Sequence, residues 1–495
     1  MLQSITRWKA KVIGNKYVRY FLFNFISLII FWGGMLRKSF TSDTITHMFT
    51  SDADIQVNLE QGRYLRALMD YVLLKFGMRT TTNLSIAMGA AFVILAVTMT
   101  VLQHLFADWE SKEVAPRIAF NMIINLWIYN VLFAEVLMFS EMSVVFALAY
   151  LFGAVATECY KKKKYIWMLV SLAVASCFYQ YAVIFAAICI AFYIFVRERK
   201  LSAQVVVREL LAVSACILIG VMNLLSILVL VRVGVLNRFY KSAGTGNLKE
   251  KLHQLVLSLV SLHKDAAGIF PSLWIPLIFI ILIESLVIVE CIKRKSMMEL
   301  LFLQLVSLGS VALLYVIPFA QENFFFPPRM SFCFFMIQGM IAMSGFIILD
   351  SGWKQQLLML CVLGYLLINI LFADFIVTNH FVSNTLDKVY VRMTYEKIEK
   401  YERDTGNEVE NLCVVKDIDA PSYYDEVNYT SDQINERSLG ILSVSIMKIV
   451  TGREFNKVEM DPKVYETYFK DRNWDYFDPE EQIVIIGDTA YWCVF

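Results

Sequence analysis

From residue 17 to residue 378 the chain is a succession of apolar runs separated by short polar turns. A helix that crosses a bilayer needs about 20 mostly apolar residues. By that measure the segments 17–36, 82–106, 117–137, 142–160, 165–178, 181–196, 208–235, 273–292, 297–319, 330–349 and 356–378 predict eleven spans. The fifth and sixth are short, with only Tyr179 and Gln180 between them, so they form a tight helical pair or include a partly re-entrant segment. Apolar residues make up 58% of the chain, against about 45–50% in soluble domains, so the expected class is an α-helical polytopic membrane protein. The first run is too long for a signal-peptide core and lacks a small-residue cleavage site, which predicts a retained helix.

Charge acts here through placement. The net charge of +1 provides no global field, which argues against a nucleic-acid partner. With the N-terminus cytoplasmic, the inner side receives Arg7, Lys9, Lys11 and Lys16, then Lys161 to Lys164, Arg197, Arg199, Lys200 and Lys293 to Lys295. That follows the positive-inside rule and predicts a multi-pass protein of the cell (plasma or inner) membrane. The segments 38–81, 237–272 and 320–329 then face outward, with the Glu135–Glu141 turn, the Tyr179-Gln180 turn and everything after about residue 379.

The first outer loop concentrates polar chemistry against the membrane. SDTITHMFTSDADIQVNLEQGRYLRAL, residues 42–68, carries Asp43, Asp52, Asp54 and a Gly62-Arg63 pair. Ile55, Leu59, Leu65, Leu68, Met69, Val72, Leu73 and Phe76 recur near the helical period, which predicts one amphipathic interfacial helix with Arg63, Arg66 and Asp70 toward its polar side. The plainer alternative is that these arginines only meet lipid phosphates. Ionisable residues within or beside spans are costly and are functional candidates, although interhelical hydrogen bonding is their commoner use. Glu135, Glu141, Glu284, Glu290 and Asp374 fall in this group. In the 237–272 loop, the Ser-Ala-Gly-Thr-Gly stretch reads as a substrate lid or a plain connector.

After residue 379 the composition changes. A charged helix ending near Gly406, strands at NLCVVKD, EQIVIIGD and AYWCVF, and a helical ILSVSIMKIV predict a small α/β soluble domain over 379–495, beside a transmembrane domain over 1–378. Cys413 and Cys493 lie in two of those strands, either bridged or as buried thiols. The nine cysteines show no metal-ligand spacing, so no metal is expected.

The motifs, taken in order, resemble the membrane glucosyltransferases of the type II O-antigen-modifying kind, within the GT-C class of polytopic glycosyltransferases. The resemblance rests on Asp43, QGRYLRAL from Gln61 to Leu68, Asn130 and Glu135 in WIYNVLFAEVLMF, the CFYQYAVIF turn, Arg329 in PPRM and the soluble tail. Two departures stand out. An acid-x-acid pair occurs as Asp52-Ala53-Asp54 whereas Asp43 aligns better with the family's acid, and Glu60-Gln61 precedes the Gly-Arg in place of an apolar residue. The resemblance implies an inverting transfer of a hexose, glucose by analogy, from a polyprenyl-phosphate-linked sugar donor to a surface polysaccharide acceptor on the outer face. It implies Asp43, Asp54, Asp52 and Glu135 as catalytic candidates, with the base left between Asp43 and Asp54. It implies Arg63, Arg66 and Arg329 for the donor phosphate, Tyr179, Gln180 and Asn130 for the sugar, and no cofactor. The lipid bilayer is the remaining partner. A polysaccharide polymerase or ligase, a lipid-linked sugar flippase, and a non-catalytic surface scaffold are the alternatives.

Overall fold

The computed structural model describes residues 15–49, 51–81, 83–237, 247–257, 274–320, 324, 326–349, 352–416, 438–472, 474 and 477–494. Two compact units make up the chain. The first comprises Met1–Arg37, Asp52–Leu137 and Glu141–Asp374; the second comprises Lys38–Ser51, Met138–Ser140 and Phe375–Phe495. The glycine-bearing stretch read as a lid or connector lies outside the described residues.

The chain opens with α1 (Lys16–Trp32), whose first turn is capped by the Asn15 side chain accepting from the Tyr17 N–H. In order there follow α2 (Ser42–Phe49), α3 (Ser51–Glu60), α4 (Tyr64–Lys75), α5 (Leu84–Leu105), α6 (Val114–Ile123), α7 (Ala134–Met138) and α8 (Ser143–Lys161). Then come α9 (Tyr165–Phe178), α10 (Ala182–Glu198), α11 (Ala203–Arg232), α12 (Trp274–Lys293), α13 (Met297–Leu314), α14 (Cys333–Ile348), α15 (Trp353–Thr405) and α16 (Ser438–Thr451). Among the described residues eight helices are long and apolar enough to cross a membrane: α1 extended to Leu36, α5, α8, α11, α12, α13, Pro328–Ile348 and α15.

The three other expected spans take different forms. Both α9 and α10 are separate helices, and every residue of α10 from Ala182 to Val196 is buried. The segment 117–137 is not a helix throughout. After α6 the backbone runs through turns to a 3-10 turn at Val131–Phe133 before α7, and residues 123–138 are all buried. Asparagine competes with helical hydrogen bonding through its own side chain, and Asn121, Asn125 and Asn130 punctuate this stretch. Irregular backbone inside a bundle persists only where protein groups satisfy it. Trp32 Nε1 donates to the Ile128 carbonyl (2.9 Å), Asn125 Nδ2 to the Asn121 carbonyl (3.1 Å), and Asn130 Nδ2 to the carbonyls of Leu126 (2.9 Å) and Trp127 (2.8 Å). A reciprocal amide pair between Asn24 and Gln103 joins α1 to α5, and Gln103 Nε2 also reaches the Asn121 carbonyl at 3.1 Å.

The single interfacial helix expected after the first span is two helices, α3 and α4, because Gly62 between them adopts φ +73°. At the other end of the chain α15 runs unbroken for 53 residues, about 80 Å at the helical rise. No proline or glycine follows Gly364 until Gly406, whose φ of +74° stops it.

The second unit holds a four-stranded sheet in the order β2-β1-β4-β3, with β1 (Asn411–Lys416), β2 (Asn456–Lys457), β3 (Ile483–Ile486) and β4 (Thr489–Val494). β1 is parallel to β2 and β4, and β3 is antiparallel to β4. Alternation sorts the faces: Leu412 and Trp492 enter one core with Val391, Ile398, Ile446 and Met447, whereas Cys493 packs with Val464 and Phe469 on the other. Ile45 of α2 belongs to the first of these cores, and Asn384 binds both the N–H (2.6 Å) and the carbonyl (2.9 Å) of Phe40. Those contacts draw residues 38–51, which the sequence boundaries grouped with the spans, into the second unit. Cys413 is a thiol, pushed up to about 11 by burial, and sits opposite Tyr491, while Cys493 sits opposite Val415.

Two predictions follow from this packing. A Cβ on Gly339 of α14 would meet the Ile123 carbonyl oxygen and come within 2.9 Å of Leu126 Cβ. Backbone cannot yield cheaply, so Gly339→Ala should cost about 1–3 kcal/mol, read as a lower melting temperature in detergent. At the end of α15, Arg453 grips Glu402 with two bonds of 2.8 and 2.7 Å, and Glu402 also accepts from the Val409 N–H at 2.7 Å. The Arg453 hydrogen bond holds the Glu402 carboxyl below its usual range. This contribution is present above the unfolded carboxyl's pKa, about 4.3, and is lost as pH falls through the lower folded value. Acid melting profiles of wild type and Glu402→Gln should therefore converge below about pH 4, with the variant less stable at pH 7.

Candidate functional site

The site grows from the break between α3 and α4. Gly62 N–H donates to the Leu59 carbonyl (2.9 Å) and Arg63 N–H to the Asn58 carbonyl (2.9 Å), a helix ending that needs the left-handed residue found at Gly62. Two carbonyls at this ending are claimed by side chains from elsewhere in the first unit. Gln180 Nε2 donates to the Gln61 carbonyl, and Asn223 Nδ2 of α11 donates to the Gly62 carbonyl at 3.0 Å. Tyr64 and Ser226 share a hydroxyl hydrogen bond of 2.7 Å on the same flank. The QGRYLRAL motif and the Tyr179-Gln180 turn are thus brought together, with Arg63 over the Tyr179 ring at 5.6 Å.

The second half comes from the irregular stretch described above. Trp127 packs against Phe133, Tyr150, Phe185 and Phe332, and Phe133 meets Phe332 edge-on at 5.2 Å. This aromatic box sets residues 127–135 beside the turn Pro328–Ser331. Glu135, 0% exposed, accepts from the Arg329 guanidinium at 3.1 Å and from the Arg329 backbone N–H. A buried carboxylate requires this kind of charge-assisted partnership. The Tyr150 ring joins the two halves, packing edge-on against Phe332, directly after the Pro328–Ser331 turn, at 5.5 Å. Tyr150 also stands beside Tyr179, its ring 6.4 Å from that of Tyr179. Its buried hydroxyl has no hydrogen-bond partner among the described residues, and a bound molecule or water would satisfy it.

The other expected residues are placed differently. Arg66 is buried, 4% exposed, and braces the protein from within: Nε donates to Asp70 (2.6 Å) and one Nη to the Glu141 carbonyl (2.8 Å). Asn130, expected at a sugar, donates its amide N–H groups to the Leu126 and Trp127 carbonyls of the non-helical stretch just before it. Gln180 serves the Gly62 ending rather than pointing away from it. Asp54 is half-buried in α3 of the first unit, and Asp43 is half-buried in α2 of the second. The side chain of Asp52 lies outside the described set. Sequence reasoning missed Asn223 and Tyr150. A lone amide in the apolar run of α11 was the available signal for the former, since polar groups at membrane depth seek partners.

Among the described residues no group of three or more His, Cys, Asp or Glu side chains gathers as metal ligands would. The chain matches no protein-family model, no curated protein and no solved structure.

A Cβ on Gly62 would collide with Asn223 Oδ1 and approach Ile227 Cδ1 to 2.8 Å, at a backbone angle that favours glycine. Gly62→Ala should cost roughly 1–3 kcal/mol and loosen Arg63. Thermal unfolding in detergent measures the first effect, and protection of the 58–66 amides from hydrogen exchange measures the second.

Proposed function

We propose that this chain is an inverting membrane glycosyltransferase of the GT-C kind, moving a hexose from a polyprenyl-phosphate donor to a surface polysaccharide on the outer face of the cell membrane. In this reading eleven segments cross the bilayer and the residues after about 379 lie outside. The observation that supports it best is that the Arg63–Tyr179 pair and the Arg329–Glu135 pair lie in the first unit on either side of the Tyr150 ring, which packs on both Tyr179 and Phe332. Guanidinium groups hold phosphate through paired, directional hydrogen bonds, and they stabilise the charge that grows on a departing polyprenyl phosphate. Glu135 orients Arg329 by holding both its side chain and its backbone N–H. The Tyr179 ring, already covered by Arg63, borders the space that the donor sugar would enter.

The proton of the acceptor hydroxyl goes to an aspartate, Asp43 or Asp54, as nucleophilic attack inverts the anomeric carbon. Asp52 shares the acid-x-acid spacing with Asp54 and is the remaining candidate. Glu135, engaged by Arg329, acts as a positioning residue.

The test measures transfer of labelled glucose from polyprenyl phosphate to surface polysaccharide in membranes carrying single variants. Arg63→Ala, Arg329→Lys and Glu135→Gln should each lower the transfer rate about a hundredfold. One of Asp43→Asn and Asp54→Asn should abolish it. Full activity in both aspartate variants would overturn the mechanism, and an unchanged polymer in cells lacking the chain would overturn the function.

A further inference from the structure

The second unit carries a groove that the mechanism above does not use. Its volume is about 610 Å³, and it is bounded by α15, by the outer strand β3 and by the segment bearing Tyr468 and Arg472. On the α15 side Lys397, Lys400, Tyr401 and Asp404 face it; on the other side stand Tyr468, Arg472, Glu480 and Glu481. The charges balance at three cations and three carboxylates, and several are fastened to one another. Lys397 Nζ reaches the Glu480 carboxylate at 3.2 Å and the Pro479 carbonyl at 2.7 Å, and Arg472 lies 3.9 Å from Glu481. Glu481 is further held by the Trp474 indole N–H at 3.0 Å. Tyr401 is fixed through its hydroxyl on the Gly487 carbonyl (3.1 Å), while Tyr468 stands 42% exposed.

We infer that this groove binds a segment of neutral polysaccharide. Mutually neutralised charges offer donors and acceptors side by side without selecting a net charge, which suits vicinal hydroxyls and disfavours a polyanion. An exposed tyrosine supplies a flat apolar face with a polar rim, and the C–H face of a sugar ring packs on such a surface. The open form of the groove suits a polymer passing through rather than an enclosed small molecule. A peptide adding a strand to β3 is the competing occupant. That mode needs a strand edge long enough to pair; Ile483, Val484 and Ile485 line the groove between its charged sides, but β3 spans only four residues. The inference extends the proposed function, on which only the role of the polymer as acceptor rests.

The experiment uses the full-length protein in detergent and isothermal titration calorimetry. The probes are maltohexaose, laminarihexaose and mannohexaose, a galacturonate hexamer of the same length, and a Val/Thr hexapeptide. At least one neutral hexamer should bind saturably, and Tyr468→Ala, an exposed position whose folding is checked by melting, should weaken it about tenfold. Arg329→Lys should bind the same hexamer as wild type does. Absence of binding by all three neutral hexamers, binding indifferent to Tyr468→Ala, or preference for the galacturonate hexamer or the peptide would overturn the proposal. A chain inactive in sugar transfer that still binds the neutral hexamer leaves the groove standing and removes the transferase reading alone.

Discussion

The first unit depends on one constraint: a buried run of backbone between α6 and α7 that is not helical. The N–H groups of Asn125, Leu126, Ile128 and Tyr129 still bond to nearby carbonyls, but the regular helical ladder is lost, and no bulk water reaches this buried stretch to replace it. The carbonyls that the ladder releases take side-chain partners, some local and some from other segments. Trp32 reaches across from α1, and Asn125 and Asn130 turn back on the local chain. Just before the break Gln103 reaches across from α5 to Asn121. Gly339 lets α14 approach closely enough to fill the remaining space. The outcome is a rigid, irregular strut that ends at Glu135 and delivers its carboxylate to Arg329. Losing any partner would expose a peptide group to an apolar interior, which costs more than the bond is worth in water.

A second break works by the same logic on a smaller scale. The left-handed residue Gly62 ends α3, and the freed carbonyls of Gln61 and Gly62 are taken by the amides of Gln180 and Asn223. An interfacial helix would have left its arginines to face lipid headgroups. Here the turn is tied on two sides, so Arg63 has a fixed place over Tyr179, and Arg66 is drawn inward to Asp70 and Glu141. The chemistry assigned to Arg63 therefore rests on two amide side chains distant in sequence. In the proposed hexose transfer, a guanidinium held in place needs no reorganisation when charge develops on the departing phosphate.

The second unit is built on different physics. Its sheet has cores on both faces, and the long helix α15 contributes Val391 and Ile398 to the larger one. α2 joins it through Ile45, and Asn384 fastens the backbone of Phe40 just before that helix. The Arg453–Glu402 pair then fixes the turn from α15 into β1 by binding Val409 at both its N–H and its carbonyl. The charged groove lies over the outer strand of this sheet, where balanced charges also guard an exposed edge from pairing with another strand.

Much of this protein was legible along the chain. Apolar runs of spanning length became helices at eight places, the strands formed at NLCVVKD, EQIVIIGD and AYWCVF, and Gly406 stopped α15. These features are local, because a helix or a strand's side-chain alternation is decided by residues within a few positions of one another. The motifs around Gly62-Arg63, Glu135, Tyr179 and Arg329 were also visible as polar groups in costly places. The sequence did not reveal that 117–137 breaks, that Ile55 to Phe76 forms two helices, or that Asn130 and Arg66 turn inward. At the two breaks a peptide carbonyl takes a partner from another part of the fold, as Asn223 and Trp32 show, and Arg66 adds the distant Glu141 carbonyl to its local Asp70. Composition by itself determined which segments become helical and apolar enough for a membrane; only the tertiary structure decided that the chain breaks within 117–137 and at Gly62, because carbonyls released there are completed in part by residues far away in the chain, Trp32, Gln180 and Asn223.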